Sequence, residues 1–447
     1  MIKNSGESKT YCSQGSKTTS ISDKELENLF SDALERALKE AGGSGPVLIL
    51  PPDVTRFHSR AGFLTDVAVK VLGNRLGAVM PALGTHMAMN DAELKRMFPG
   101  TPKDKFIVHD WRNDVVELGR LEADWVSKAS NGTVNYDWPV MVNKIMQAGG
   151  AGSGGFSLII SIGQVVPHEV IGMANHTKNL FVGTGGKEAI DKSHFAGAAF
   201  GLEKMMGRID TPVRAMFDEG MRRFGDKIPP VLYALTVVGS SDKPDSPLAT
   251  RGFFSGFGRD CFEKASALAC EVNVDIIEEP VNKAVVYLEP EEFRTTWLGN
   301  KAIYRTRMAM ADGGELLILA PGLERFGEDL GMDALIRKYG YRPSKEIREQ
   351  VQKSKELQEN LSAAAHLIHG SSEGRFTIRY CPAKTVSRSE IESVGFSWGS
   401  LDEASARYDI KKLRLGWNTL ADGEKIFFVP NPALGLWAEK KRFESSN

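Results

Sequence analysis

The stretch GQVVPHEVIGMANHTKNLFVGTGGKEAIDKSHF, Gly163 to Phe195, decides the reading of this chain. It holds three of the eight histidines, His168, His176 and His194, with Lys178 among them. The apolar run FSLIISIG, Phe156 to Gly163, feeds straight into it. A buried strand that opens into a turn carrying His and Lys is the layout of a site at the carboxyl end of an α/β sheet.

Upstream, the same rhythm recurs. GPVLILPPDVTR is a short strand stopped by Pro51-Pro52, which puts Asp53, Thr55 and Arg56 on the following loop. LGAVMPAL leads to Gly84-Thr85-His86, and KFIVHDW, Lys105 to Trp111, reads as a further strand with His109 and Asp110. Helical patterns lie between, from Ser22, a capping residue with Glu25 three places on, to Ala41, and from about Arg60 to Leu72. Strand, polar loop and helix in repetition predict a parallel sheet, with Asp53, Arg56, His86 and His168 gathered on one edge. Pro167 is expected to end its strand's ladder and to expose His168 there.

Further on, VLYALTVVG is a strand, SSDKPDSPLATRGFF a polar surface loop, and Asp260 to Cys270 a helix. A second α/β unit follows, with a helix from Phe293, strands at GELLILAP, RFTIRYCPA and IFFVPNPA, and a charged helix from Ser344 to His369. The expected fold is α/β with two domains, each a mostly parallel sheet flanked by helices, and the active site in the interdomain cleft. The expected divisions are a loose arm at 1–20, a catalytic and cofactor-binding domain at 21–280, and a closing domain at 281–447.

A length of 447 residues with 42% hydrophobic and 25% charged side chains fits a globular protein of more than one domain. With 56 basic and 57 acidic side chains the net charge is -1, so no basic field is present to hold nucleic acid or a membrane surface. No run approaches the roughly 18 apolar residues of a membrane span. The N-terminal residues lack an apolar core, so no secretory leader is expected. Cys12, Cys261, Cys270 and Cys381 form no C-x-x-C pair, which points to a reducing, cytoplasmic setting and against a cysteine zinc site.

From residue type alone each candidate keeps a plain alternative. His86 is a general acid or base, or a loop histidine with a local hydrogen bond. Asp53 and Arg56 form a self-contained pair, or Arg56 grips a carboxylate. Lys178 is a phosphate ligand, a covalent amine or a solvated lysine. His194 reads more readily as structural. GTGGKEA, Gly183 to Ala189, lacks phosphate-loop spacing.

Together, DVTR, GTH and PH, then a lysine ten residues after His168 and a histidine sixteen after Lys178, resemble the nickel-dependent lactate racemase family. The resemblance is strongest from about Val47 to Phe195. It implies an isomerase that inverts C2 of a small-molecule 2-hydroxy acid by hydride transfer to and from a nickel-pincer nucleotide (nickel pyridinium-3,5-bisthiocarboxylic acid mononucleotide). A transient 2-keto acid lies between. It implies His86 and His168 as the catalytic acid/base pair and Lys178 as the covalent tether. Asp53, Asn175 and Thr177 would also bind cofactor, His194 would hold nickel, and Arg56 and Lys301 would bind substrate. A homo-oligomer is compatible with it, and neither nucleic acid nor membrane is a partner. GMANHT, Gly172 to Thr177, replaces the family's Gly/Ser-rich run. FHSR, Phe57 to Arg60, and Trp297-Leu298 also depart from the pattern. These changes point away from lactate to a larger 2-hydroxy acid, sugar acids included, and they leave His58 and His176 without a role. Two alternatives stand beside this reading: a His-rich zinc or iron hydrolase or lyase, and a catalytically silent homologue.

Overall fold

The computed structural model describes residues 2–6, 8–149, 155–243 and 246–445. The chain forms two compact units, the first of residues 1–193 and 207–273, the second of 194–206 and 274–447. The division falls at 273–274 rather than at 280, and it passes a short internal segment to the second unit. Val274–Ile277 pairs in parallel with Leu436–Glu439, and Leu202 and Met206 join Tyr304, Met308 and Leu436 in one apolar cluster. Packing therefore draws both segments into the second unit.

The first unit is built on a six-stranded sheet in the order Lys9–Gly15, Ser246–Phe257, Val231–Lys243, Leu158–Gln164, Val47–Leu50, Leu76–Val79. The last four strands run parallel to their neighbours, and the first two pairings are antiparallel. Leu158–Gln164 is buried at every position, as a central strand covered on both faces must be. One face packs Ile160 and Ile162 under Leu26, Phe30 and Leu34 of the helix Asp23–Ala41 and Leu64 and Ala68 of Ala61–Leu72. Ser22 caps the first of these helices, its hydroxyl accepting from the Glu25 N–H.

Three local expectations change. The arm is not loose: Lys9–Gly15 adds an edge strand against Ser246–Phe257. Only Tyr11 is buried along it, so its pattern is too polar to read as a strand. The polar loop after Gly239 is instead the end of one long strand and the start of the next, within which Pro244 and Asp245 lie outside the described residues. KFIVHDW is not a strand, since Phe106 makes a single bridge to Val79.

The second unit carries its own six-stranded sheet, ordered Ser397–Trp398, Thr377–Pro382, Met310–Ala320, Val281–Tyr287, Lys425–Val429, Gly416–Thr419. All pairings but the last are parallel. The expected helix from Ser344 to His369 is three helices, broken at Ser354, which caps Lys355–Gln358, and again at Asn360 before Leu361–His369. Both units are thus mostly parallel sheets flanked by helices. Among the described residues no helix is long and apolar enough to cross a membrane.

Candidate active site

In the first unit the strands Leu158–Gln164, Val47–Leu50 and Leu76–Val79 are neighbours, so the loops at their carboxyl ends meet. Asp53 caps the short helical turn Val54–Ser59. Its Oδ1 accepts from the Thr55 N–H at 3.2 Å and the Thr55 hydroxyl at 2.5 Å. Its Oδ2 lies 2.6 Å from His86 Nδ1, which joins the first loop to the second. Burial opposes ionisation of Asp53, but His86, Thr55 and Arg56 more than offset it and hold the carboxyl down at about 2. An ionised carboxylate only accepts, so the His86 proton sits on Nδ1 and Nε2 carries the basic lone pair. Arg56 has a buried Nη1 with no hydrogen-bond acceptor in the protein. A buried guanidinium donor left without a partner fits an anionic group of a ligand.

The third loop turns back on itself, with Pro167–His168 pairing antiparallel with Gly172–Met173. His168 is therefore buried rather than exposed at the sheet edge: the long strand ends at Gln164, and Pro167 starts a small hairpin. The Val170 N–H donates to His168 Nδ1 at 3.2 Å, which places the proton of the neutral ring on Nε2. Glu169 Oε2, 3.6 Å from the same nitrogen, becomes an ion-pair partner only when the ring is protonated. His86 and His168 thus carry opposite tautomers, one basic at Nε2 and one acidic there.

Lys178 lies in the short helix Thr177–Phe181, half-buried. The next residue anchors it: Asn179 Nδ2 donates to the Leu50 carbonyl at 3.1 Å and to Ser161 Oγ at 3.0 Å, holding the turn to two adjacent strands. Burial lowers the Lys178 pKa to about 8; Arg56 and Arg214 add to the shift, and Glu169 and Asp53 oppose it. Asp53, Arg56, Lys178 and Glu169, the neighbour of His168, therefore share one electrostatic neighbourhood.

Asn175 and Thr177 turn inward. Asn175 Oδ1 accepts from the His176 N–H at 2.7 Å. The Thr177 hydroxyl donates to Asp218 Oδ1 at 3.1 Å and accepts from Arg214 Nη1 at 2.9 Å. His176 stacks against Tyr233 and Phe262, and its Nε2 hydrogen-bonds the Gly258 carbonyl at 3.0 Å. His109 is also structural, lying between Gly185 O and the Asn143 side chain.

His194 and Lys301 belong to the second unit. His194 is half-buried on the helix Lys187–Phe200. Lys301 is buried, its amine 5.4 Å from the centroid of the Phe293 ring. One turn earlier, Trp297 stacks on His366, with ring centroids 4.3 Å apart. Thr296 Oγ1 donates to the Phe326 carbonyl, so Tyr341 OH donates to Thr296 and accepts from His366 Nε2. Among the described residues, no three His, Cys, Asp or Glu side chains gather as a metal site.

Sequence reasoning missed Glu169, Arg214, Asp218 and His366. Arg214 was legible: it lies three residues before Phe217 and seven before Met221, on the buried stripe of the helix Pro212–Phe224. A charge on such a stripe needs partners in the interior.

Residues 7–204 match the lactate racemase N-terminal domain. A protein from Thermotoga maritima has a similar structure, with a TM-score of 0.75 at 22% identity over 94% of this chain and 98% of that one. The lactate racemase apoprotein from Thermoanaerobacterium thermosaccharolyticum is similar at a TM-score of 0.67 and 16% identity, with 94% of each chain covered. No curated protein matches the chain in sequence. In class, this is a two-unit α/β protein with a histidine–lysine site at a parallel sheet edge. Its residues 7–204 are similar to the lactate racemase N-terminal domain, and its fold is similar to that of the lactate racemase apoprotein.

Two measurements check the site. The depressed Asp53 pKa contributes stability that is present above its ordinary value of 3.8 and lost as pH falls toward about 2. Asp53→Asn is expected to cost about 2 kcal/mol in denaturant unfolding at neutral pH, the difference from wild type shrinking below about pH 4. A gap that holds constant down to acid would contradict the ion pair. Trace acylation of Lys178, followed by peptide mass spectrometry, is expected to titrate with a midpoint near 8 rather than at the ordinary 10.5.

Proposed function

We propose that this protein is a 2-hydroxyacid racemase or epimerase that uses a nickel-pincer nucleotide tethered to Lys178. The observations that carry the reading are the Asp53–His86 contact and the Val170 N–H bond to His168 Nδ1, from which opposite tautomers of the two neutral rings follow. Lys178 sits among groups that include Asp53, the partner of His86, and Glu169, the neighbour of His168. Inversion at C2 through a keto acid requires one group to take the hydroxyl proton and another to give a proton back on the opposite face. A basic and an acidic nitrogen in one neighbourhood meet that need, and exchanging their roles runs the reaction in reverse.

The residues present fit the cofactor. A lysine near pKa 8 has a free-amine fraction at neutral pH, which suits condensation with a thiocarboxylic acid group of the cofactor: the amine nitrogen would form the new C–N bond, the C–O bond would break and water would leave, giving a thioamide with no change of oxidation state. When bound, the nucleotide would accept a hydride from C2 and return it. Its own sulfur and carbon donors would supply the soft ligands that the chain lacks, with His194 as the protein's ligand to nickel. Arg56 would hold the substrate carboxylate through its unpartnered Nη1, and Lys301 would add a second positive charge. His86 Nε2 would take the hydroxyl proton while Asp53 steadies the imidazolium that forms. His168 Nε2–H would return a proton to the oxygen, and Glu169 would favour that ring's reprotonation. Asn175 and Thr177 would serve the cofactor through the backbone of their turn, since the Thr177 hydroxyl is already engaged. The substrate would be a 2-hydroxy acid other than lactate, since FHSR at Phe57–Arg60 and Trp297-Leu298 depart from the family's pattern. Four free cysteines support a reducing cytoplasm.

The test is C2-hydrogen exchange over a panel of 2-hydroxy acids, using protein made alongside the cofactor-building enzymes. His86→Ala and His168→Ala are each expected to cut exchange by about 10²-fold or more while nickel stays bound, and His194→Ala to lose the metal. Undiminished exchange in either of the first two variants would sink the assignment.

A further inference from the structure

The turn before Lys178 adopts a backbone that its residues rarely take. Asn175 and His176 have φ of 69° and 60°, neither is glycine, and His176 combines that φ with a ψ of -134°. Such a backbone is strained and persists only where its surroundings hold it. Arg214 supplies that hold. It is fully buried, and its Nη2 donates to the Met173 carbonyl at 2.6 Å and the Asn175 carbonyl at 3.3 Å. Its Nη1 reaches the Thr177 hydroxyl, and the guanidinium lies 4.2 Å from the centroid of the Phe262 ring, which also stacks on His176. One cation thereby binds both ends and the middle of Met173–Thr177. Resting on the reading of Lys178 as the tether, we propose that Arg214 is its positioning residue: the buried guanidinium fixes the strained turn and sets the place and charge environment in which the amine is attached to its cofactor. His176 completes the clamp as a packed ring.

The groups that act on the amine are Arg56, Glu169, Asp53 and Arg214. Of these, Arg214 also holds the turn. Its positive charge favours the free amine, and a mere packing role would leave the titration of Lys178 unmoved.

The test uses cofactor-free protein for trace acylation of Lys178 across pH, and co-expressed protein for the yield of adduct. In Arg214→Gln the acylation midpoint is expected to rise, and adduct yield to fall severalfold. Arg214→Lys keeps the charge but cannot bridge two carbonyls and a hydroxyl. Its midpoint should stay near wild type while its adduct yield falls, and it decides the matter if the Gln variant fails to fold. An unmoved midpoint in folded Arg214→Gln, or full adduct in Arg214→Lys, would overturn the proposal. Wild-type protein without any adduct would instead defeat the tether reading, and the acylation midpoints would still report on Arg214.

Discussion

The hydrogen bond between Asp53 and His86, 2.6 Å long, is the interaction on which the site depends. It joins the loops that leave two adjacent parallel strands, and it fixes the His86 tautomer. A carboxylate taken from water is costly unless it is paired and hydrogen-bonded. Here three hydrogen bonds, from the Thr55 N–H, the Thr55 hydroxyl and His86, and the charge of Arg56 hold the ion below its ordinary pKa despite its burial. The same carboxylate, with Arg56, acts on Lys178 from the neighbouring loop. Loop order and proton placement therefore share one cause.

The sheet explains why these loops meet. Pro51 follows Leu50 directly and ends its ladder, the central strand stops at Gln164, and the chain leaves the sheet with polar side chains at the same edge. Asn179 and Arg214 then fasten the Lys178 turn to that edge, one from the strand side and one from the helix Pro212–Phe224. Glycines permit the close approach. At Gly163 a Cβ would come within 2.2 Å of Asn175 Nδ2, and the Gly84 N–H donates to the Gly183 carbonyl at 2.9 Å.

Much of this was legible in the amino-acid order, because apolar runs, proline stops and a capping serine act locally. The central strands, the helix after Ser22 and the meeting of the Asp53 and His86 loops follow from such signals. What escaped depends on distant partners. Lys9–Gly15 is a strand only because Ser246–Phe257 offers it an edge. KFIVHDW has apolar residues but gains one bridge, and its His109 is drawn inward by Asn143 and Gly185. The inward Asp53–His86 and Arg214–Thr177 contacts join residues 33 and 37 positions apart, and side-chain direction at that range has no local signature.

The central claim is that Lys178 is a covalent attachment point sharing one electrostatic neighbourhood with Asp53 and Glu169. The most direct measurement is intact and peptide mass spectrometry, with nickel analysis, of protein produced together with the enzymes that build the cofactor. A mass increase confined to the Lys178 peptide, with nickel in proportion to it, is the expected result. An unmodified Lys178 in nickel-replete protein would contradict the claim.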